Sequence, residues 1–501
     1  MGWNQKTPIP LKNMNSEKEA LSKRAYISVD HAVENAGFGP AQIKYMLAAC
    51  VVFFTEVQFI HLGSLNLPSI TCEWNLQKWQ ILVLLISAAV TRTIGSYVGG
   101  SLSDKFGRRN NVVLGLFSMI LFGLLAILQT DFYMYVAFRA CSFFFLHCIT
   151  PSALCIVLEI TPRKMRFLAK MVLAVAGQLG ATCSSLVAMY YLNTVGWRDL
   201  TFYLTVPCFL PLLIFWFLSD SPRYLFLSGD VEGGRKAMGE IFRMNGKEDT
   251  SHLIKNVKDQ DRGNVGQMFT PEFAKTTWML LIVIAVKNLV ISVMHTSLPY
   301  ILQGDTDTCS TPLVSAEDHE EENCLGLTSK TLYSLTKGHV LGIVITITAL
   351  SLSQVVGRRP SSITCYLLAA GAMIANVWCQ GKDTFILKVT TANALMHGGT
   401  AIINLFIQEI YPTSIRAMTT GFFFSLGHLI TTAAPYFSIY LVLGHEVPFF
   451  VGGGILFIMC AFMLLRIKHE SKNSPLQETT RFNTLQSDLD WGLGDLDYDS
   501  D

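Results

Sequence analysis

Two ionisable residues sit in the middle of long apolar runs, and they are the first candidates for chemistry in this chain of 501 residues. Glu56 lies inside the run that begins at Tyr45, and Lys287 inside the run that begins at Thr276. A charge at the centre of a bilayer costs on the order of 3 kcal/mol on insertion scales, so an acid and a base kept there are expected to titrate, to pair or to hold a charged solute. Pro68 and Pro299 align the two runs with a shift of 231 residues, which carries position 56 onto position 287. The spacing predicts equivalent places in two related helices. Glu56 is then a titrating acid with Lys287 as a switchable partner or a solute anchor, or the two are a permanent structural couple. Arg92, Arg139 and Lys388 add positive charge within other runs. Where such groups line a water-filled cavity, the excess of bases favours an anionic solute. Read singly, Lys388 snorkels to the interface and Arg139 bonds helix carbonyls. His61, His147, His295, His397 and His428 are also intramembrane, where a buried imidazole is more often a satisfied packing group than a proton carrier.

Other chemistries lack their signatures. There is no Gly-x-x-x-x-Gly-Lys-Ser/Thr phosphate loop, no His-Glu-x-x-His and no Cys-x-x-Cys pair, so neither an enzyme nor a cofactor or metal is expected. His319 with the glutamates after it reads as part of a solvated acidic loop, and no basic-aromatic surface suggests nucleic acid.

The elements that must position Glu56 and Lys287 are written twice. Gly107-Arg108-Arg109 recurs 250 residues later as Gly357-Arg358-Arg359, and Glu159-Ile160 with Pro162 and Arg166 recurs as Glu409-Ile410 with Pro412 and Arg416. The two motifs stand 52 residues apart in both copies, so one unit without net insertion is duplicated. Hydrophobic residues make up 51% of the chain and charged residues 15%, the balance of an integral membrane protein. The ~20-residue criterion predicts twelve spans. They are Tyr45 to Ile70, Ile81 to Leu102, Asn111 to Gln129, Phe132 to Leu158, Leu168 to Leu192, Leu200 to Leu218, Thr276 to Leu302, Ser334 to Leu352, Ser361 to Gln380, Thr384 to Gln408, Met418 to Leu443 and Pro448 to Leu465. Each run is too long and too evenly apolar for a barrel strand, which leaves helices.

Charge then orients the bundle. With both termini on one side, that side collects about 29 of the 38 Lys and Arg residues, and the opposite loops hold only Lys78, Arg198, Lys330, Lys337 and Lys382. Both termini are therefore expected in the cytoplasm. The divisions are a polar N-terminal segment 1–44, a six-helix half 45–218, a cytoplasmic linker 219–275, a second half 276–466 with an outer loop 304–330, and an acidic tail 467–501. The linker is expected to form short helices such as Glu232 to Met244. In the outer loop Cys309 and Cys324 bracket an acidic stretch and are either a disulfide or two free thiols. The tail, with Trp491 among aspartates, is either a solvated end or a dock for a cytosolic adaptor.

The stretch Gly99 to Arg109, Gly-Gly-Ser-Leu-Ser-Asp-Lys-Phe-Gly-Arg-Arg, resembles the loop signature between the second and third helices of the major facilitator superfamily. The resemblance implies that Asp104, Gly107, Arg108 and Arg109 lock a cytoplasmic gate, with Asp104 set against a helix N-terminus and paired with one of the arginines. In the second copy Gln354 stands where the acid belongs, beside Arg358 and Arg359, so any lock there is weaker or uncharged. Glu159 with Arg166, and Glu409 with Arg416, resemble the paired signatures after the fourth and tenth helices. The resemblance implies that such glutamates and arginines bridge the halves when the gate shuts. Ser219-Asp-Ser-Pro-Arg-Tyr-Leu225 resembles the motif after the sixth helix on the sugar-porter and organic-ion-transporter side of the superfamily. Val29 to Gly39, Cys72-Glu73-Trp74, Gly196-Trp197-Arg198 and Gly246, in that order, are similar to the synaptic-vesicle-2-related branch, over roughly Ser28 to Arg466. In that branch the first helix carries an acid, matched by Glu56, and the fourth an arginine, matched by Arg139. The Gly-rich run that follows it there is replaced here by Cys141-Ser-Phe-Phe-Phe-Leu-His147.

These readings predict an all-α, twelve-helix transporter of two pseudo-symmetric halves embedded in lipid. It moves a small organic solute, expected to be an organic ion, by alternating access coupled to a proton or cation, in the plasma membrane or a vesicle. The rivals are a non-transporting receptor or vesicle regulator that retains the fold, which the bulky run after Arg139 favours, and an uncoupled organic-ion uniporter.

Overall fold

The computed structural model describes residues 27–254, 265–271, 273–303, 327–378, 382–411, 413–442 and 446–467. These are helical almost throughout: α1 Val29–Ala36, α2 Pro40–Leu65, α3 Leu67–Glu73, α4 Lys78–Phe106, α5 Arg108–Ile127, α6 Phe132–Ile160, α7 Arg166–Thr205, α8 Phe209–Trp216, α9 Pro222–Ser228, α10 Val231–Met244, α11 Ala274–Gln303, α12 Ser329–Val356, α13 Arg358–Ile374, α14 Lys382–Ile410, α15 Thr413–Thr431, α16 Ala434–Phe437 and α17 Glu446–Arg466. Cys309, Cys324 and the acidic tail lie outside the described residues, as do the side chains of Asp104 and Arg416.

Ten stretches among the described residues are long and apolar enough to cross a membrane. One of them, Arg163–Trp216, runs for 54 residues. At ~1.5 Å per residue that is about 80 Å, against ~30 Å of hydrocarbon, so the stretch must turn. Gly196 turns it, with φ at 86° and ψ at 171° inside an otherwise helical segment. The sequence divides this region at the same place, into spans ending at Leu192 and beginning at Leu200. The structure differs only in making the turn at one glycine rather than in a loop. Proline shapes other ends: α2 opens on Pro40, and α7 gives way to a short 3-10 turn at Val206–Cys208, which contains Pro207.

The duplicated glycines have one physical job. Gly107 and Gly357 sit at φ 98° and 121°, a region costly to residues with a Cβ, and each sends its N–H to a serine carbonyl one turn back, Ser103 at 3.2 Å and Ser353 at 3.1 Å. Each glycine thus ends one long helix and starts the next without a loop. Close approach is the other use of small residues. A Cβ on Gly95 or Gly99 of α4 would stand 2.4 Å from the backbone of Phe144 or Cys148, so α4 lies directly on α6.

Packing repeats with the motifs. α4 and α5 both pack on α6, and α12 and α13 both pack on α14, while α7 meets α12 and α4 meets α15 across the two repeats. Large apolar side chains such as Leu114, Phe117, Leu128, Val355 and Phe462 remain exposed on the periphery. In a multi-pass membrane protein that surface faces lipid rather than water.

The polar segments fold onto the arginine-rich end of the first repeat. Asn245, just after α10, accepts from the Ala41 N–H (3.1 Å) and donates to the Ala36 carbonyl (3.0 Å) and the Gln42 Oε1 (2.8 Å). Arg223 of α9 pairs with Asp30 of α1 at 3.3 Å. The stretch Val29 to Gly39 therefore wraps the start of α10's exit, and the helix expected over Glu232 to Met244 is α10.

Candidate functional site at the bundle centre

Both Gly-Arg-Arg motifs anchor helix ends in the same way. Arg108 reaches Glu159 at 3.4 Å and stacks on Tyr224 at 4.8 Å, and Arg358 grips Glu409 with hydrogen bonds of 3.3, 3.0 and 2.9 Å. The following arginine caps a different helix. Arg109 donates to the carbonyls of Phe215 (3.2 Å) and Trp216, and Arg359 to those of Leu464 (2.9 Å) and Leu465 (2.6 Å). A cation on the last carbonyls of a helix complements its dipole, so each motif ties three helices together. The sequence located Arg108, Arg109, Arg358 and Arg359 but not this capping role, because the partners lie about 105 residues away.

Each of the two glutamates thus has an arginine partner inside its own repeat. Arg166 donates to the Thr161 carbonyl at 3.2 Å. Asp220, from the Ser-Asp-Ser-Pro stretch, supplies an acid at the first motif: it accepts from the N–H of Arg109 (3.3 Å) and of Ser221 (2.7 Å). Burial raises its carboxyl above the ordinary value, and those two N–H groups pull the other way. In the second copy Gln354 has a buried Nε2 with no hydrogen-bond partner among the described residues.

At the centre, Glu56 of α2 faces α6. The Nε2 of His147 lies 3.8 Å from its Oε1, and both side chains are largely buried, with exposures of 1% for His147 and 14% for Glu56. The His147 Nδ1 lies 2.9 Å from the Phe143 carbonyl one turn back. That carbonyl can only accept, so Nδ1 carries the proton and Nε2 presents a lone pair to the carboxylate. Two acceptors therefore face each other. One proton on either atom turns them into a donor and an acceptor.

Arg92 of α4 lies within electrostatic reach of Glu56 and donates to Thr431 of the second repeat at 3.1 Å. Glu56 and Lys287 form no ion pair among the described residues. Lys287 donates instead to Asn288 at 3.1 Å, and both line a cavity of about 200 Å³ with Thr400, Asn404, Phe423 and His428. His428 connects the two places, since its ring meets that of His147 edge-on at 5.5 Å.

Arg139 sits apart from this cluster. Its guanidinium lies 5.4 Å from the Phe143 ring and 5.9 Å from the Tyr135 ring, and a Cβ on Gly63 of α2 would collide with it at 2.3 Å. Two aromatic faces and the Tyr135 hydroxyl, to which it donates at 3.5 Å, surround this charge among the described residues. Lys388 donates to the Ala375 carbonyl at 3.0 Å. The bulky run after Arg139 thus supplies two working positions, Phe143 against Arg139 and His147 against Glu56. Two more pairs of imidazoles were likewise unmarked in sequence: His61 with His339, and His295 with His397, each with Nε2 to Nε2 at 2.8 Å. Cys72, after the first span, is disulfide-bonded.

An acid, several bases and a largely apolar cavity that carries a few polar side chains, enclosed by long apolar helices, suit binding and charge compensation of a solute within the membrane. Comparison with known proteins agrees. A family model described as "Sugar (and other) transporter" matches residues 26–298. The synaptic vesicle 2-related protein of Xenopus laevis is 24% identical over 399 residues, covering 78% of this chain and 72% of that protein, and the protein of the same name from Rattus norvegicus matches to the same extent. Among solved structures, a D-xylose-proton symporter superposes with a TM-score of 0.65 at 17% identity, over 87% of this chain and 99% of that one. The inward open conformation of the xylose transporter XylE from E. coli gives 0.64 at 17% identity, over 87% and 98%. The chain belongs to the sugar (and other) transporter family, with the major facilitator fold and kinship to the synaptic vesicle 2-related branch.

Proposed function

We propose that this protein is a secondary active transporter of a small organic anion, driven by protons and working by alternating access. Twelve spans in two halves fit the helices: α2 with α3, α4, α5, α6, the two arms of α7 with α8 completing the second, then α11, α12, α13, α14, α15 with α16, and α17. The positive-inside distribution of Lys and Arg supports both termini in the cytosol, at the plasma membrane or a vesicle membrane, with the acidic tail as a dock for an adaptor.

The observation that carries the reading is the Glu56–His147 juxtaposition at 3.8 Å, two buried acceptors one proton short of a hydrogen bond, linked through His428 to the cavity lined by Lys287. Protonation there removes the repulsion of two lone pairs and the cost of a buried carboxylate, so the proton has a differential effect on the resting and moving states. Lys287 and Arg92 supply the positive field that an anion needs, and Asn288, Thr400 and Asn404 supply neutral donors and acceptors. The relatives named D-xylose-proton symporter and xylose transporter support movement of a small polar solute with a proton.

The test is uptake into vesicles containing the purified protein, with a panel of organic anions, cations and sugars under an imposed proton gradient. Gradient-dependent accumulation of an anion that is lost in Glu56→Gln supports the reading. Accumulation unchanged by that substitution removes Glu56 as the coupling site. No uptake of any solute favours the non-transporting regulator, for which the observation is the filling of the position after Arg139 by Phe143 and His147.

A further inference from the structure

We propose that the solute is a monocarboxylate whose body is one apolar ring or a chain of similar size, held in the cavity beside Lys287. The proposal rests on the anion reading above and narrows it to one charge and one size.

The charge count comes first. Lys287 is the one charged residue that lines the cavity among the described residues, and it is only 3% exposed. Its ammonium carries three hydrogens but meets a single acceptor among the described residues, the Asn288 side-chain oxygen at 3.1 Å, and no carboxylate. A cation so placed lacks a counter-ion. One carboxylate supplies it, whereas a second negative charge on the same solute would be buried unpaired. Arg92 is no second anchor, since it lies off the cavity lining, within reach of Glu56, and donates to Thr431.

The neutral groups point the same way. Thr400 gives its hydroxyl hydrogen to the Met396 carbonyl at 2.8 Å, and the Asn288 oxygen is taken by Lys287. That leaves Lys287, the Asn404 amide and the His428 ring as donors, enough for the two oxygens of one carboxylate. Apolar atoms supply most of the remaining surface, with Ile284, Ile407, Phe423 and Phe424 among their sources. A sugar carries hydroxyls all round its ring, and most of them would face hydrocarbon with no partner, each at a cost. A hydrocarbon body meets the same surface without that loss.

Volume sets the size. An apolar cavity of about 150 Å³ takes a benzene ring, and pockets for drug-sized ligands begin near ~300 Å³. At about 200 Å³ this cavity holds one ring with its carboxylate and little more. The lining comes from α11, α14 and α15, all of the second repeat, so the site stays assembled when the halves move.

The experiment measures equilibrium binding, with no gradient, of labelled benzoate to the full chain in lipid nanodiscs, with unlabelled competitors. Cyclohexanecarboxylate is expected to compete as well as benzoate, and succinate, benzylamine and D-xylose about tenfold or more weakly. Lys287→Met is expected to lose benzoate affinity by about 30-fold or more while binding benzamide, the neutral isostere, at least as well as wild type. Its melting temperature is expected to equal or exceed that of wild type, because an apolar chain of the same length replaces a buried cation. Should that variant fail to fold, Ile407→Phe fills part of the cavity and is expected to exclude benzoate while still binding propionate. Absence of benzoate binding, succinate or xylose binding as tight as benzoate, or benzoate affinity unchanged in Lys287→Met or in Ile407→Phe overturns the proposal. Tight binding of succinate alone does so while leaving the anion reading in place, and binding of xylose alone removes both. Benzoate that binds as expected but is not accumulated under a proton gradient upholds the proposal and removes the proton-driven reading.

Discussion

Replacing Gly107 by alanine tests whether the repeated glycines hold the helix junctions as argued. A Cβ at this position would stand 2.4 Å from Asp220 Oδ2, and the backbone φ of 98° is unfavourable for alanine by about 1–2 kcal/mol. Relief of the collision must move the Asp220 carboxylate, which accepts from the N–H groups of Arg109 and Ser221, each such bond being worth about 1 kcal/mol. The sum is a loss of roughly 3–4 kcal/mol, or about 6–16 °C in apparent melting temperature at ~2–4 °C per kcal/mol for a large chain. Gly100 is the control. It is helical and has nothing within 4 Å of an added Cβ, so alanine there is expected to be neutral or to stabilise by up to about 1 kcal/mol. The assay is thermal unfolding of the purified variants in one detergent, followed by size-exclusion of the surviving monomer. A Gly107→Ala protein as stable as wild type, or a Gly100→Ala protein equally damaged, refutes the reasoning.

Three further outcomes follow from the same geometry. Glu409→Gln is expected to cost more stability than Glu159→Gln, about 2 against about 1 kcal/mol, because Arg358 makes three hydrogen bonds to Glu409 while Arg108 makes one at 3.4 Å to Glu159; melting temperatures of the two variants give the order. Arg139→Lys keeps the charge but not the flat face against Phe143 and Tyr135, and is expected to lose about 1 kcal/mol, whereas a purely electrostatic role predicts no change. Arg359→Ala frees the Leu464 and Leu465 carbonyls, and faster hydrogen exchange confined to the last turn of α17 is the expected result.

The parts of the molecule that depend on local sequence were legible before the structure. Long apolar runs announce helices because lipid leaves no alternative, and the two Gly-Arg-Arg motifs, each 52 residues before its glutamate, announced the repeat. The linker helix, the inward place of Glu56 and the difference between the two motif copies at Gln354 were legible in the same way. What failed to show depends on helix rotation. His61 and His339 are 278 residues apart, and nothing in either neighbourhood says that two Nε2 atoms will meet. Glu56 and Lys287 share a register by proline alignment, yet Glu56 turns to His147 and Lys287 to Asn288, since register along an axis does not fix the phase around it. Arg92 reads in sequence only as one more positive charge because no motif marks it, and it lies within electrostatic reach of Glu56 and bonds the opposite repeat. Arg109 and Arg359 looked like gate charges alone. Their hold on the ends of α8 and α17 needs the third dimension.

The most direct measurement separates exchange from accumulation in vesicles loaded with the transported anion. With wild-type protein, an inward proton gradient is expected to concentrate the solute, and exchange of labelled for unlabelled solute proceeds without any gradient. Glu56→Gln is expected to keep exchange and lose concentration, because the cavity beside Lys287 remains while the proton no longer distinguishes the two states. Concentration of solute by Glu56→Gln at the wild-type level would contradict the account.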